Sequence, residues 1–391
     1  MSKVIVHIDL NAFFVRAEEI REPSLEGKPV AIGREGRAGI VSTCSYEARK
    51  YGVHSGMPVF QAKQLCSSLI LLPGDYRYYR TLSHLFMKFV STYTKKVEIA
   101  SVDECFADFT DVIKNVKDVE GYFRKLQNDL YEKTKLKCSI GVAPTKFLAK
   151  MGSDYQKPMG LTIIRKKDIG KILYPLSIDK CFGVGKKTLP RLEAIGIHTI
   201  GDLANRINNE DKEIKENLGK FFYTLKDWLN GNGSDEVVVE EWDPKSLGHS
   251  TTLKHDTDDF NEIKVVYERL CQEVAHEVKK EKKMGYTVNI NIKEANFVNH
   301  NKSITLDRPI NDAKLIYKYA MNLYERHFLG INVRLVGVTL QNLVSNKDVV
   351  VQMNLFANEE DEDKTKTLIN DINRGFDKPL VMRASEVKKE K

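Results

Sequence analysis

No C-x-x-C pair occurs in the chain, although six cysteines stand at 44, 66, 105, 138, 181 and 271. Zinc sites and redox dithiols need closely spaced thiols, so both drop out and reduced core thiols remain. Long apolar runs are missing too. The first apolar stretch, KVIVHIDL (3–10), is broken by His7 and Asp9, and is too short for a membrane span or an export-signal core. The expectation is a cytoplasmic protein with no membrane partner. There is no internal repeat and no large charge excess: 61 Lys+Arg against 54 Asp+Glu give +7. That balance suits a polyanionic partner without requiring one. What is present is a folded composition, 42% hydrophobic and 29% charged. The 391 residues correspond to roughly two to four domains.

The β-branched run 4–8 predicts a buried strand ending at Asp9, and a helix over 12–20 closed by Pro23. Short strands at 29–32 and 40–43 mix with helical stretches at 47–51 and 59–66, and a long helix covers 76–90. Residues 98–109, EIASVDECFADF, read as two short strands with Asp103 and Glu104 near their turn. A helix over 119–134, a strand over 138–142 and a helix opening at 146 complete an α+β domain around an antiparallel sheet. From 166 to 230 the pattern changes to short helices punctuated by Gly183, Gly185, Gly196 and Gly201. NGNGSDE (230–236) reads as a hinge and the following VVVEEWDPK as a tether. A second α/β module follows: strand 250–253, helix 261–280, strand 286–292, helix 312–327 and strand 334–343.

Asp9 at the end of an apolar strand serves as a helix N-cap or as a ligand, and Asp103 with Glu104 serves as a solvated turn or as a ligand pair. The two places together carry more than either alone. Strands of one sheet bring such groups side by side, and three clustered carboxylates repel unless cations join them. Hard oxygen donors suit Mg²⁺. Two such ions about 3.5–4 Å apart activate a hydroxyl and stabilise a leaving pyrophosphate.

Longer motifs surround these acids. IDLNAFF (8–14), STCSYEARKYGVHSGMP (42–58), SVDECFAD (101–108) and GVAPTKFLAKMGSDYQKPMG (141–160) resemble the signatures of Y-family translesion DNA polymerases, above all their polymerase IV branch. The resemblance runs on in order through CFGVGKKTLPRLEAIGIHTIGDL (181–203), KSLGHSTTL (245–253) and RLVGV (334–338). It implies a right-handed α+β multidomain polymerase with palm (1–10 and 75–165), fingers (11–74), a helical thumb (166–231), a linker (232–243), an α/β little finger (244–344) and a tail (345–391). By motif match, Asp9, Asp103 and Glu104 are the catalytic metal ligands, joined by the Leu10 carbonyl, for two Mg²⁺ ions. Asn11 replaces an aspartate common in the family but outside the ligand set, and Asp108 falls too late in its strand to join it.

The same resemblance places Phe14 as the steric gate beneath the incoming sugar, where a ring collides with a ribose 2′-hydroxyl. Phe13 packs inward or lines the pocket. Tyr46, Arg49 and Lys157 match the triphosphate contacts, with Thr43 a further hydroxyl donor and Ser42 facing the nascent base pair. Gly183 and Gly185, followed by Lys186 and Lys187, read as a helix-hairpin-helix that brings backbone amides to a phosphate. Lys245, Ser250, Thr251, Lys254 and Arg334 are offered to primer–template DNA; the cluster Lys279, Lys280, Lys282 and Lys283 is either a second such patch or a solvated helix end.

QMNLF (352–356) resembles the bacterial sliding-clamp pentapeptide, with Gln352 making polar contacts and Leu355 and Phe356 filling an apolar pocket. The expected activity is low-fidelity, template-directed addition of deoxynucleotides to a primer by a monomer without proofreading. The competing readings are a non-catalytic DNA-binding repair protein and a mutagenesis polymerase requiring accessory subunits.

Overall fold

The structure is a computed structural model that describes residues 3–239 and 243–347; the expected clamp peptide 352–356 lies outside them. The chain divides into two compact units, Met1–Trp242 and Asp243–Lys391. Among the described residues no helix is long and apolar enough to cross a membrane.

In the first unit β1 (Ile5–Leu10) leads into α1 (Phe13–Arg21). A small layer follows: β2 (Val30–Ile32), β3 (Thr43–Cys44), α2 (Tyr46–Arg49), α3 (Val59–Leu65) and β4 (Ile70–Leu72). Then come α4 (Tyr76–Val90), β5 (Val97–Ile99), β6 (Glu104–Asp108), α5 (Val119–Thr134), β7 (Cys138–Ala143), α6 (Lys146–Tyr155) and β8 (Leu161–Ile163). The main sheet has the order β5-β6-β1-β7-β8, and only the β7–β8 pair is parallel.

The central strand β1 is buried along its whole length because both faces are covered. Its alternation decides what points where. Val6, Ile8 and Leu10 join the core beneath α4 and α5, with Phe86, Leu126 and Leu130, while Ile5 packs with Phe147 and Leu148 of α6. Each such side chain, fully buried, contributes about 1.5–3 kcal/mol. His7 and Asp9 share the α6 face with Ile5, and His7 Nδ1 lies 2.7 Å from Ser153 Oγ on that helix. The long helices α4 and α5 fall on their expected bounds. Apolar spacing sets their inner faces, and Asp75 and Asp118 cap them by accepting from the amides of Tyr78 and Gly121.

Helix α6 presses unusually close to the sheet. A Cβ at Gly141 would lie 1.9 Å from the Ala149 carbonyl oxygen and 2.4 Å from the Ser153 nitrogen. Only glycine fits where helix and strand backbones meet. The apolar side of α6 continues into the core of five short helices, α7–α11 (Ile169–Ile172, Leu189–Glu193, Ile200–Asn208, Lys212–Leu218, Phe221–Leu229). Trp228 of α11 stacks on Phe147 at 4.9 Å.

Three local expectations change. Residue 40 forms an isolated bridge to Pro58 and the strand begins only at Thr43, because Val41 hydrogen-bonds to Met57 in the neighbouring loop. Glu104 lies inside β6, paired with Asp9, and only Asp103 remains in the turn. The glycine-rich stretch 230–236, read as a hinge, runs along the first unit: Ser234 O accepts from the Lys146 amide at 2.9 Å, and Val238 N donates to Glu98 Oε2 at 2.7 Å.

The second unit holds β9 (Ser246–Thr257), α12 (Phe260–Lys280), β10 (Lys283–Glu294), β11 (Asn299–Ile310), α13 (Ala313–Phe328) and β12 (Val333–Ser345). The sheet is antiparallel with the order β11-β10-β12-β9. Both helices cover one face, over Val288, Ile290, Ile292, Val336, Val338 and Leu340. The opposite face carries small neutral groups, among them Asn289, Asn291, Ser250 and Thr339. A Cβ at Gly337 would meet Ser250 Cβ at 2.8 Å and Asn291 Oδ1 at 3.3 Å. Strand β11 is not among the expected elements: as an edge strand with Asn299, Asn301, Lys302 and Ser303 exposed, it carries little apolar alternation.

Candidate active site

The antiparallel register sets Asp9 directly beside Glu104, and the backbone bond from Leu10 N to Asp103 O, 2.9 Å, draws the third acid to the same strand end. Asp108 sits at the far end of β6 opposite Ile5, held by the Thr110 amide and Lys96, and is remote from this corner. Burial, together with the charges of Asp9 and Glu104, raises the Asp103 carboxyl; the Ser101 hydroxyl that donates to it pulls the other way.

Two lysines that motif reading did not assign together occupy the corner. Lys150 Nζ lies 2.6 Å from Glu104 Oε2 and 3.1 Å from Asp9 Oδ2, and Lys157 Nζ lies 2.8 Å from Asp9 Oδ2. Asp154 contacts both ammonium groups. Lys157 is an expected residue; Lys150 is a new one, and helical spacing from the apolar face of α6 was the only signal for it. Burial acts to lower both lysines, but the surrounding carboxylates, Asp9 first, outweigh it and raise them. His7 is the second addition. Fully buried, it places Nε2 3.0 Å from Glu104 Oε2. The Ser153 hydroxyl lies 2.9 Å from the Lys150 carbonyl and 2.7 Å from His7 Nδ1, which ties the imidazole to α6. Burial lowers His7, and the contacts with His7 and Lys150 hold Glu104 down to about 2 against burial. His7, Asp9 and Glu104 bring ligand atoms within 4.8 Å of one another. Three carboxylates, Asp9, Glu104 and Asp154, contact the two ammonium groups, and Asp103 feels the charges of Asp9 and Glu104, so the corner is short of positive charge. A set of hard oxygen donors in such a deficit fits a divalent cation.

Beside it opens a cleft of about 270 Å³ lined by Asp9, Leu10, Asp103, Phe13, Phe14, Ser42, Thr43, Tyr46, Arg49 and Lys157, with Ala12 and Ser55. Every residue expected at the nucleotide is there. Local chemistry explains the placement of Tyr46 and Arg49. Ser45 Oγ caps α2 at the Ala48 amide, accepts from Val30 N and donates to the Lys28 carbonyl, which pins this one-turn helix to β2. Arg49 then lies over the Tyr46 ring at 4.6 Å. Asn11 supports the cleft from behind. Its Oδ1 accepts from the Met159 amide and its Nδ2 donates to Ser139, which anchors the loop that carries Lys157. Phe13 is buried, and Phe14 stacks on Tyr79. A larger cavity, about 890 Å³, lies elsewhere, at the other end of β1 and β7 around Val4, Val142 and Ile163. It contains none of the expected site residues.

Comparison with known proteins shows the family of the chain as a whole. Residues 8–154 match the impB/mucB/samB family and residues 244–355 its C-terminal domain. The chain is 37% identical to DNA polymerase IV of Bacillus velezensis, over 99% of this chain and 94% of that one, and 38% identical to DNA polymerase IV 1 of Bacillus subtilis, over 100% and 94%. Among solved structures it resembles a Y-family DNA polymerase chimera of Dbh and Dpo4, with a TM-score of 0.77 at 29% identity, covering 88% of this chain and 100% of that one. An insertion ternary complex of Dbh DNA polymerase gives a TM-score of 0.61 with the same identity and coverage. The chain belongs to the DNA polymerase IV branch of the Y-family DNA polymerases.

In this Y-family polymerase the residues expected at DNA are placed as follows. Gly183 has a left-handed φ of +94°, and a Cβ there would strike Phe221 at 2.5 Å; Gly185, Lys186 and Lys187 are exposed beside it. Lys245, Ser250 and Lys254 are exposed, Ser250 on the neutral sheet face. Thr251 alternates to the helix side with Leu253, and Thr252 takes the outer position. Arg334 is engaged: Nε and Nη2 pair with the Asp256 carboxylate at 3.1 and 2.9 Å, and its guanidinium lies 4.2 Å from the Phe297 ring centre. Lys283 is buried and paired with Asp243, so of the lysine cluster only 279, 280 and 282 are exposed.

Proposed function

We propose that this chain extends a primer by template-directed addition of deoxynucleotides, with Asp9, Asp103, Glu104 and the Leu10 carbonyl holding two Mg²⁺ ions. The observation that carries the reading is the meeting of the acidic corner and the cleft at Asp9, Leu10 and Asp103. When bound, the ions lower the pKa of the primer 3′-hydroxyl and stabilise charge on the departing pyrophosphate. The chain's own residues do the rest. Arg49 and Tyr46 grip the triphosphate from one side and Lys157 from the other; the phosphate then takes the ammonium that now faces Asp9. Phe14 forms the floor beneath the sugar and excludes a 2′-hydroxyl. Ser42, a small residue with Oγ 3.4 Å from the Tyr76 hydroxyl, leaves the base-pair side open to damaged templates.

The regions take the roles of palm (1–10, 75–165), fingers (11–74), thumb (166–231), linker (232–243) and little finger (244–344), with Gly183–Lys187 and the little-finger sheet on the DNA backbone. The chain acts as a monomer in the cytoplasm, without proofreading, and residues 352–356 dock on a sliding clamp. Single-nucleotide incorporation tests the core of this. Extension should follow the template base, require Mg²⁺ and stop on chelation. Extension that ignores the template, or survives Asp9→Ala, overturns it. Deleting 352–356 should abolish clamp stimulation and spare basal activity.

A further inference from the structure

The Phe14 ring is not held by its own helix alone. It lies flat on the Tyr79 ring of α4, with centroids 4.4 Å apart and 14° between planes. Tyr76 stands edge-on to both, at 5.6 and 5.8 Å. Tyr79 is only 1% exposed, and its hydroxyl donates to Glu18 Oε1 at 2.7 Å. Glu18 sits one turn beyond Phe14 on α1, so the chain of contacts closes on itself: Phe14 to Tyr79 to Glu18 and back through α1. Glu18 is 8% exposed, with its other oxygen 3.6 Å from Arg21, which reaches on to the α4 cap Asp75. A carboxylate buried at this depth is costly unless its hydrogen bonds are met.

A wall rejects a larger group only as strongly as it resists being moved. The penalty met by a ribose 2′-hydroxyl is capped by the cheapest displacement of the ring it meets, and close-packed, hydrogen-bonded supports make displacement expensive. We infer that Glu18 is a positioning residue for sugar selection: its buried carboxylate fixes Tyr79, and Tyr79 fixes the plane of Phe14 beneath the incoming nucleotide. The inference rests on the reading of Phe14 as the sugar gate.

The test compares kcat/KM for matched deoxyribo- and ribonucleoside triphosphates in the full chain and in Phe14→Ala, Tyr79→Phe, Glu18→Ala, Glu18→Gln and the Tyr79→Phe/Glu18→Ala double variant. Tyr79→Phe and Glu18→Ala should each narrow the preference for deoxyribose about tenfold, the scale of one lost hydrogen bond to a charged acceptor. The change should come from faster ribonucleotide use, with deoxynucleotide use within about threefold of the parent. The double variant should go no further than the singles, because all remove the same bond. Glu18→Gln keeps an acceptor oxygen and should retain most of the preference. An unchanged preference in Tyr79→Phe, or equal losses with both sugars, overturns the inference while a Phe14→Ala that admits ribonucleotides leaves the gate standing. A Phe14→Ala that keeps the preference removes the gate and the inference together. If Glu18→Ala fails to fold, Tyr79→Phe and Glu18→Gln decide.

Discussion

The two large sheets of the molecule use charge in opposite ways. The five-stranded sheet is covered on both faces and brings Asp9 and Glu104 together at one strand end, paired across β1 and β6 under two lysines. The four-stranded sheet is covered on one face only, and its open face spreads small neutral side chains around Gly337 and Ser250. A concentrated corner suits chemistry, since buried charges act strongly over short distances. A patch of small hydroxyl and amide groups suits contact with a polymer irrespective of its sequence, since such groups meet phosphates without reading bases. Under the function proposed above, these two sheets divide the work of making bonds and holding strands.

Breaking the corner should have the largest effect. Asp9→Ala or Glu104→Ala should reduce kcat in primer extension by at least about 10³-fold with little change in DNA affinity. Lys150→Met tests the support behind those acids. It should cost about 10- to 100-fold in kcat, the range expected for a residue that orients metal ligands. Next comes the neutral face. Ser250→Glu places a negative charge where the comparison requires none, and should weaken primer–template binding about tenfold at low salt, measured by fluorescence anisotropy. Arg334→Ala should change the same affinity less than about threefold, because its guanidinium is already committed to Asp256; a larger loss would show that the pair opens for phosphate.

The smallest effect concerns stability against pH. Glu104 titrates at about 2 in the folded chain, below its ordinary 4.5, held there by His7 and Lys150. Its folded-state pKa is depressed, so its contribution is complete above the ordinary value and is lost as pH falls toward 2. In the absence of divalent ions, the stability difference between the parent and Glu104→Gln, from urea midpoints, should therefore shrink between these two values.

Much of this is legible in the chain's residues alone. Strong apolar periodicity and Asp caps mark α4 and α5 to the residue, and the motifs lead to the side chains that line the cleft beside Asp9. What escapes has physical reasons. The edge strand β11 is polar on its exposed positions, so alternation does not reveal it. His7, Lys150 and Glu18 act through partners 46 to 146 residues away in sequence, and no spacing rule encodes such meetings. Arg334 looks available because its type suits phosphate; only the fold shows that Asp256 and Phe297 already hold it.

The contact of α6 with Gly141 has a consequence for how the molecule transmits disturbance. The same ten-residue helix carries Lys150 to the carboxylates and Phe147 to Trp228 of the helical region. With no side chain between helix and strand there is no cushion to absorb a shift, so the helix behaves as a rigid ruler laid against the sheet. A single methyl group at position 141 would therefore press on the helix that holds both Lys150 and Phe147.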